Sequence, residues 1–247
     1  MIYIVVPTYG RISATKSLYR SLSFCKVYDQ VRFIIIDDMP DFQTYKYFNL
    51  YDNCIVLKGT GSLFWGGAIN LAFSHLSAIK PDANDLVVLV NNDVVCPPCA
   101  LIKLIDFHTS YPNSLRHPVT FDHTGSEISS GSSLISWFPF LTRRPDKKDR
   151  LSLIDFVNGR FLSGTWETFY KIGNIPSSIP HYGGDNYLSL KAKEIGVYTF
   201  LDNGAYVTVD ESLTGFKDKN LTSFNDLFNS FFSIRSSNCI KYRFALV

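Results

Sequence analysis

Leu86-Val87-Val88-Leu89-Val90-Asn91-Asn92-Asp93 is the stretch on which the reading of the whole chain turns. Five consecutive Val and Leu residues predict a strand buried on both faces, and two amides and a carboxylate mark its exit from the sheet. Open α/β sheets bind ligands in the crevice beyond the carboxyl ends of their strands. In an extended chain Asn91 and Asp93 project to the same side. An amide oxygen and a carboxylate then stand together at the crevice mouth, as a hard cation carrying a diphosphate requires. Taken alone, the same residues also read as an ordinary polar turn, since Asn and Asp are common turn formers.

Upstream, strands and helices alternate. Ile2 to Val6 reads as a first strand, stopped by Pro7-Thr8-Tyr9-Gly10-Arg11, and a helical pattern runs from Ile12 to about Lys26. Val31 to Ile36 is a second strand ending in Asp37-Asp38, and Cys54 to Leu57 a third. Gly59 to Gly67 then opens a helix whose apolar face is Ile69, Ala72, Phe73, Leu76 and Ile79. This alternation implies βαβ units and a mostly parallel sheet, with the strand ends on one common edge. Thr8, Asp37, Asp38, the glycine segment and Asn91 to Asp93 are therefore expected to converge. The glycine segment matches neither G-x-G-x-x-G nor a P-loop, because Gly67-Ala68 stands where Lys-Ser/Thr would be. It remains a loop free to approach a ligand, with a helix N-terminus behind it that favours an anion, and Trp65 is placed to cover a base or sugar ring.

Beyond Asp93 the alternation fails. Leu101 to Phe107 looks helical, and Arg116 to Phe121, Ser133 to Phe140 and Leu153 to Val157 read as strands. Arg143 to Arg150 reads as a mobile loop. Trp166 precedes a helix over Glu167 to Ile172. His181-Tyr182-Gly183-Gly184-Asp185 opens another, with Asp185 at its N-cap or first turn, where capping alone would explain it. Strands at Val197 to Leu201 and Ala205 to Val209 follow. The tail from Leu221 carries Phe224, Leu227, Phe228, Phe231 and Phe232 on one helical side.

The 247 residues suit one α/β domain with a modest appendage, and 46% apolar with 19% charged residues is the composition of a folded globular protein. A net charge of +2 gives no reason to expect nucleic acid. No run approaches the ~18 apolar residues of a bilayer span, and the N-terminus lacks the features of a signal peptide. Five widely spaced cysteines argue against a disulfide framework. Cys96-Pro97-Pro98-Cys99 lacks the second ligand pair of a zinc site. A cytoplasmic protein is expected.

In their order these pieces resemble the family 2 glycosyltransferases of the GT-A fold, in a branch with rhamnosyltransferase-like members. The resemblance covers roughly residues 2 to 212. It divides the chain into a GT-A domain, 1–212, with a nucleotide-binding half (1–95) and an acceptor-binding half (96–212), and a helical C-terminal extension, 213–247. Val5-Val6-Pro7-Thr8-Tyr9 looks like the first nucleotide-binding loop, with Arg11 beside it. Ile35-Ile36-Asp37-Asp38 is similar to the second, whose Asp contacts the base. Trp65-Gly66-Gly67-Ala68-Ile69-Asn70 stands where the family closes on the nucleoside. Asn91-Asn92-Asp93 takes the place of the D-x-D motif, which implies Asp93 as metal ligand with Asn91 and Asn92 in support. Gly184-Asp185 matches the E-D motif, which implies Asp185 as catalytic base, with Trp166, His181, Tyr182 and Gly184 toward the acceptor. The departures are an amide for one D-x-D carboxylate, Gly for the Glu of E-D, and Asp210-Glu211 where many members carry a His.

What the resemblance implies is an inverting, metal-dependent transferase using Mg2+ or Mn2+ and a dTDP-, UDP- or GDP-linked sugar. Its acceptor would be a glycan or lipid-linked glycan, in bacterial surface polysaccharide (O-antigen or capsule) synthesis. The aromatic tail would allow peripheral contact with the inner face of the plasma membrane, or pack across the domain. A carboxylate of ordinary pKa near 4 takes a sugar hydroxyl's proton only as the new bond forms. The helix N-terminus would depress Asp185 further and an apolar surround would raise it; the sequence leaves both open. Two other functions fit an α/β sheet with a metal carboxylate: a sugar-phosphate nucleotidyltransferase, although Pro7 to Arg11 lacks its Gly-rich Arg/Lys run, and a non-catalytic nucleotide- or glycan-binding module.

Overall fold

The computed structural model describes residues 1–136 and 141–210. Ile2–Thr8 (β1), Ile12–Ser23 (α1), Val31–Asp37 (β2), Gln43–Phe48 (α2), Cys54–Lys58 (β3), Phe64–Ile79 (α3) and Leu86–Val90 (β4) form the alternating first half. The second half contains Val94–Val95 (β5), Ala100–Ser110 (α4), Ser114–Asp122 (β6), Glu127–Ser129 (β7), Ser133–Ser136 (β8), Leu141–Arg143 (β9) and Leu151–Leu153 (β10). Phe161–Thr165 (β11), Trp166–Ile172 (α5), Gly184–Glu194 (α6) and Tyr198–Val209 (β12) complete it.

One sheet runs in the order β10-β12-β6-β11-β4-β1-β2-β3, with β5 on β12 and β7 on β6. β1 pairs in parallel with β2 and β4, and β2 with β3. Helical crossovers cover both faces of these strands, so their side chains are apolar in both directions. Val5, Ile34, Ile36, Val87 and Leu89 face α3, α5 and α6, while Ile4, Val6, Phe33, Ile35, Val88 and Val90 face α1 and α4. Residues such as Ile4, Ile34 and Leu89 have no exposed surface, and each such side chain contributes about 1.5–3 kcal/mol.

β11 changes the reading of the second half. It runs antiparallel to β4, pairing Phe161 with Val90 and Thr165 with Leu86. The loop that precedes β11, not the one that follows it, therefore lies at the carboxyl edge of β4. The expected strand over Leu153–Val157 is only Leu151–Leu153, and the strand that enters the core is Phe161–Thr165. The two strands expected at 197–201 and 205–209 are one long strand, β12, whose pairing with β6 shifts register between Asp202 and Tyr206. There the Asp202 carboxylate accepts from Gly204 N–H and from Nε of Arg116, which is 1% exposed. The segment read as mobile is tied down in part by Lys147 to Glu127 and by Asn203, whose amide donates to the Asp149 carbonyl at 2.8 Å. The aromatic tail, Glu211 and the end of the strand read at 133–140 lie outside the described residues. Among those described, no helix is long and apolar enough to cross a membrane.

Candidate active site

The edge formed by the ends of β1, β2 and β4 carries three acids, Asp37 and Asp38 after β2 and Asp93 after β4, and they fall into two groups. Asp37 has no exposed surface, and its carboxylate accepts from the amides of Met39 (3.3 Å) and Tyr45 (2.8 Å), the latter in the first turn of α2. Asp38 accepts from Gly61 N–H at 2.7 Å and Leu63 N–H at 2.8 Å, fixing the glycine segment ahead of α3. The pair expected on the base is thus tied to backbone amides on each oxygen, which would otherwise be left unpaired. Thr8 donates its hydroxyl to the Ile36 carbonyl, and Pro7 is held in register with Ile36 inside β1. Tyr9 stands exposed at that edge.

The glycine segment is also fastened from the other side. Gly66 donates to the Pro180 carbonyl at 2.8 Å, and a Cβ on it would stand 2.8 Å from the Ile179 carbonyl oxygen. Gly67 packs on Leu63. Asn70 grips Ile175 with its whole amide, donating to its carbonyl at 2.8 Å and accepting from its N–H at 2.9 Å. These three were expected on the nucleoside; here Gly66 and Asn70 are tied to residues 175–180, and Gly67 packs within the segment itself. Trp166 is a plainer correction. Because β11 is antiparallel, Trp166 follows the end paired with Leu86, at the opposite edge from Asn91–Asp93, and it is buried against Phe73.

Asn91, Asn92 and Asp93 are a turn, closed by Val94 N–H to the Asn91 carbonyl at 3.2 Å, so the expected same-side projection does not hold. Asn91 Oδ1 accepts from the Trp65 indole N–H at 3.1 Å. Asn92 donates to the Thr15 hydroxyl at 3.2 Å, toward α1. Asp93 is 7% exposed and its Oδ1 is buried without a hydrogen-bond partner. Burial raises its pKa above the usual carboxylate value, with Arg160 and Arg11 working the other way and Asp210 adding to the rise. Asp210 is brought there by its own N–H, which donates to the Asp93 carbonyl at 3.2 Å.

Trp65 links this turn to Asp185. Its ring lies against two glycines, since a Cβ on Gly159 would stand 3.1 Å from Cζ2 and one on Gly184 3.1 Å from Cζ3. Only glycines let the indole lie this close to the backbone. Gly184 thus serves packing, while His181 stacks between Tyr182 (4.6 Å) and Phe64 (5.7 Å). Asp185 sits in the first turn of α6, accepting from Asn186 N–H at 2.9 Å and from Gly159 N–H. The same Gly159 Cβ would come within 3.5 Å of Asp185 Oδ2. Burial wins over these amides and raises the Asp185 pKa above its ordinary value. The opposition left open by the sequence is settled in favour of the apolar surround.

Residues 158–160 are the part of the site that sequence reasoning missed. Asn91 N–H donates to the Arg160 carbonyl at 3.1 Å, Arg160 N–H to Asn158 Oδ1 at 3.2 Å, and Gly159 touches Trp65 and Asp185. A short loop therefore joins the Asn91 turn, Trp65 and Asp185. Its signal was present, a small residue between two polar ones ahead of an apolar run, but the strand it introduces, β11, was not read.

Among the described residues no group of three His, Cys, Asp or Glu side chains could close around a metal. A cage is therefore absent from them. What stands there is one buried carboxylate oxygen without a partner, with a second carboxylate nearby. That set fits a Mg2+- or Mn2+-like ion that completes its shell with substrate phosphates and water. The Cys96 thiol, fully enclosed and pushed up by burial, is a packing group.

An α/β sheet with a buried carboxylate after β4, and a half-buried acid in the first turn of α6, belongs to a GT-A-type glycosyltransferase fold. Residues 3–166 match the model of glycosyl transferase family 2, and the chain belongs to that family. No curated protein matches the sequence. Among solved structures, GalNAc-T7 with UDP, GalNAc and Mn2+ superposes with a TM-score of 0.67 at 13% identity, over 94% of this chain and 47% of that one. The S. aureus protein TarS (1-349) with UDP-GlcNAc gives 0.62 at 14% identity, over 85% of this chain and 58% of the other. The chain spans about half the length of these neighbours. At such identities they establish the fold, with its curled central sheet flanked by helices.

Proposed function

We propose that this chain transfers a sugar from a nucleoside-diphosphate donor to a hydroxyl of a glycan acceptor, inverting the anomeric centre, with Asp185 as the base. The observation that carries this is the position of Asp185, whose carboxylate is raised in pKa by burial and lies beside Trp65, which bonds the Asn91–Asp93 turn. A carboxylate of raised pKa is a stronger base toward the acceptor hydroxyl. The acceptor oxygen attacks the anomeric carbon, its proton passes to Asp185, and the bond to the diphosphate oxygen breaks with its electron pair leaving on the diphosphate.

Asp93, with Asp210 beside it, would hold a divalent cation, which when bound offsets the leaving group's charge. Arg11 and Arg160 bring positive charge to the same turn. UDP and Mn2+, which accompany structural neighbours, support a uridine donor and manganese as the first pair to try. The rhamnosyltransferase-like branch and a place in surface polysaccharide synthesis rest on the motif resemblance, as does the division at residue 212. Family membership weighs against the nucleotidyltransferase alternative.

Asp185→Asn is the test. The variant is expected to bind UDP and Mn2+ with unchanged affinity by calorimetry while losing transfer; full transfer in that variant overturns the assignment.

A further inference from the structure

Beside Asp185 lies a cavity of about 380 Å³ between β7, the β8–β9 hairpin, Phe156-Val157 and the start of α6. Its size falls within the range of small-molecule sites, roughly 300–1,000 Å³. It shares a wall with the base, because Asn186 follows Asp185 and Val157 precedes by two residues the Gly159 whose N–H binds it. Ile128, Phe156 and Val157 supply apolar surface, and Ser130, Ser132, Thr142 and Asn186 supply hydrogen-bonding groups. This is the composition of a sugar-binding recess, where a ring face meets carbon and its hydroxyls meet amides and hydroxyls.

Its charge is biased. Glu127, Arg144 and Lys147 are the charged residues of the described lining. Lys147 pairs with Glu127 Oε2, and Ser130 donates to Oε1 at 2.6 Å. Burial acts to raise Glu127, but Lys147, Ser130 and Arg144 outweigh it and hold its carboxyl below the usual range. The acid is thus neutralised within the wall, and Arg144 is the surplus positive charge. Asn186 Oδ1, adjacent to the base, is buried without a hydrogen-bond partner, so a donor is wanting there.

We propose that this cavity is an acceptor subsite for a saccharide unit bearing an acidic group, a phosphate or a carboxylate. Arg144 meets the acid with its planar fork, a geometry suited to both anions. A hydroxyl of the same unit donates to Asn186 Oδ1, which sets the neighbouring sugar against Asp185. The inference rests on Asp185 being the base.

The full chain is titrated with methyl glucoside, methyl glucuronide and methyl 6-phosphoglucoside by ligand-observed NMR, with and without UDP and Mn2+. At least one acidic glycoside is expected to bind about tenfold tighter than the neutral one, the scale of one hydrogen bond to a charged group. The stronger of the two identifies the acid. Arg144→Gln is expected to abolish that preference and Arg144→Glu to invert it, with UDP binding unchanged in both. Equal binding of the three glycosides, or a preference that survives Arg144→Gln, overturns the proposal. Failure of UDP to bind any form counts instead against the transferase reading, because the glycoside titration is independent of it.

Discussion

The turns after β2 and β4 leave the same edge of the sheet, and each carries an acid with little exposed surface. After β2, Asp37 and Asp38 have backbone amides at both oxygens, and the carboxylates serve as rivets for α2 and the glycine segment. After β4, Asp93 keeps an oxygen without a partner, and the neighbouring Asp185 carries a raised pKa. The first pair stabilises the fold. Asp93 does not share that role, since a buried carboxylate oxygen short of partners stabilises nothing until a ligand arrives. Carboxylates near one sheet edge thus differ in their surroundings, those after β2 tied to backbone amides and Asp93 keeping an oxygen without a partner, as the proposed function requires.

The sharpest way to break that contrast is at Asp185. Asp185→Asn is expected to lower transfer by about 10³-fold, roughly 4 kcal/mol of barrier, with little change in urea midpoint. Asp38→Ala should do the reverse. Two amides would lose a charged acceptor, and unfolding free energy should fall by about 3 kcal/mol, read from urea denaturation. Asp93→Asn in the same assay should change stability by less than about 1 kcal/mol; a loss as large as that of Asp38→Ala would show that Asp93 too is a rivet. Gly159→Ala pushes a methyl at Trp65 and Asp185 and is expected to cost up to about 10²-fold in turnover while donor binding persists.

The smallest effect lies in pH. With its folded pKa raised, Asp185 binds its proton more tightly in the folded chain than in the unfolded one. Its stabilising contribution is complete below the unfolded value of about 3.9 and is lost as pH rises through the folded value. The stability of the native chain relative to Asp185→Asn should therefore decline as pH rises from about 4, while transfer activity increases over the same interval. A difference that grows with pH would mean that amide bonding outweighs burial at this carboxyl.

The first half was legible because each strand is an uninterrupted apolar run between turn residues, and β1 to β4 stand where periodicity placed them. β11 was not, because Ser163 and Gly164 interrupt its apolar character. Ser163 is buried on His108 at 3.1 Å, and Gly164 admits Leu115 and Phe169. Those reasons are tertiary and leave no periodic trace. With β11 unread, its direction was unread, and Trp166 was assigned to the wrong end of the sheet. Asp37, Asp38 and Asn70 show a second limit. Their types suit a ligand site, but whether an amide or carboxylate meets a ligand or a loop depends on partners distant in the chain, such as Ile175.

The antiparallel insertion of β11 beside β4 has a consequence for how the molecule comes into being. β4 can pair with β1 once residue 90 has been synthesised, but its other neighbour and the Arg160 carbonyl that holds Asn91 are about 70 residues behind it. Closing that interval is slow relative to local pairing, since loop entropy must be overcome before the contact forms. During translation the nascent chain therefore carries a nearly complete parallel scaffold with one open apolar edge, and no assembled site. The proposed site can assemble only after residues 158–165, and Asp185 and Asp210 behind them, have emerged, so it forms late, on a scaffold that is already built.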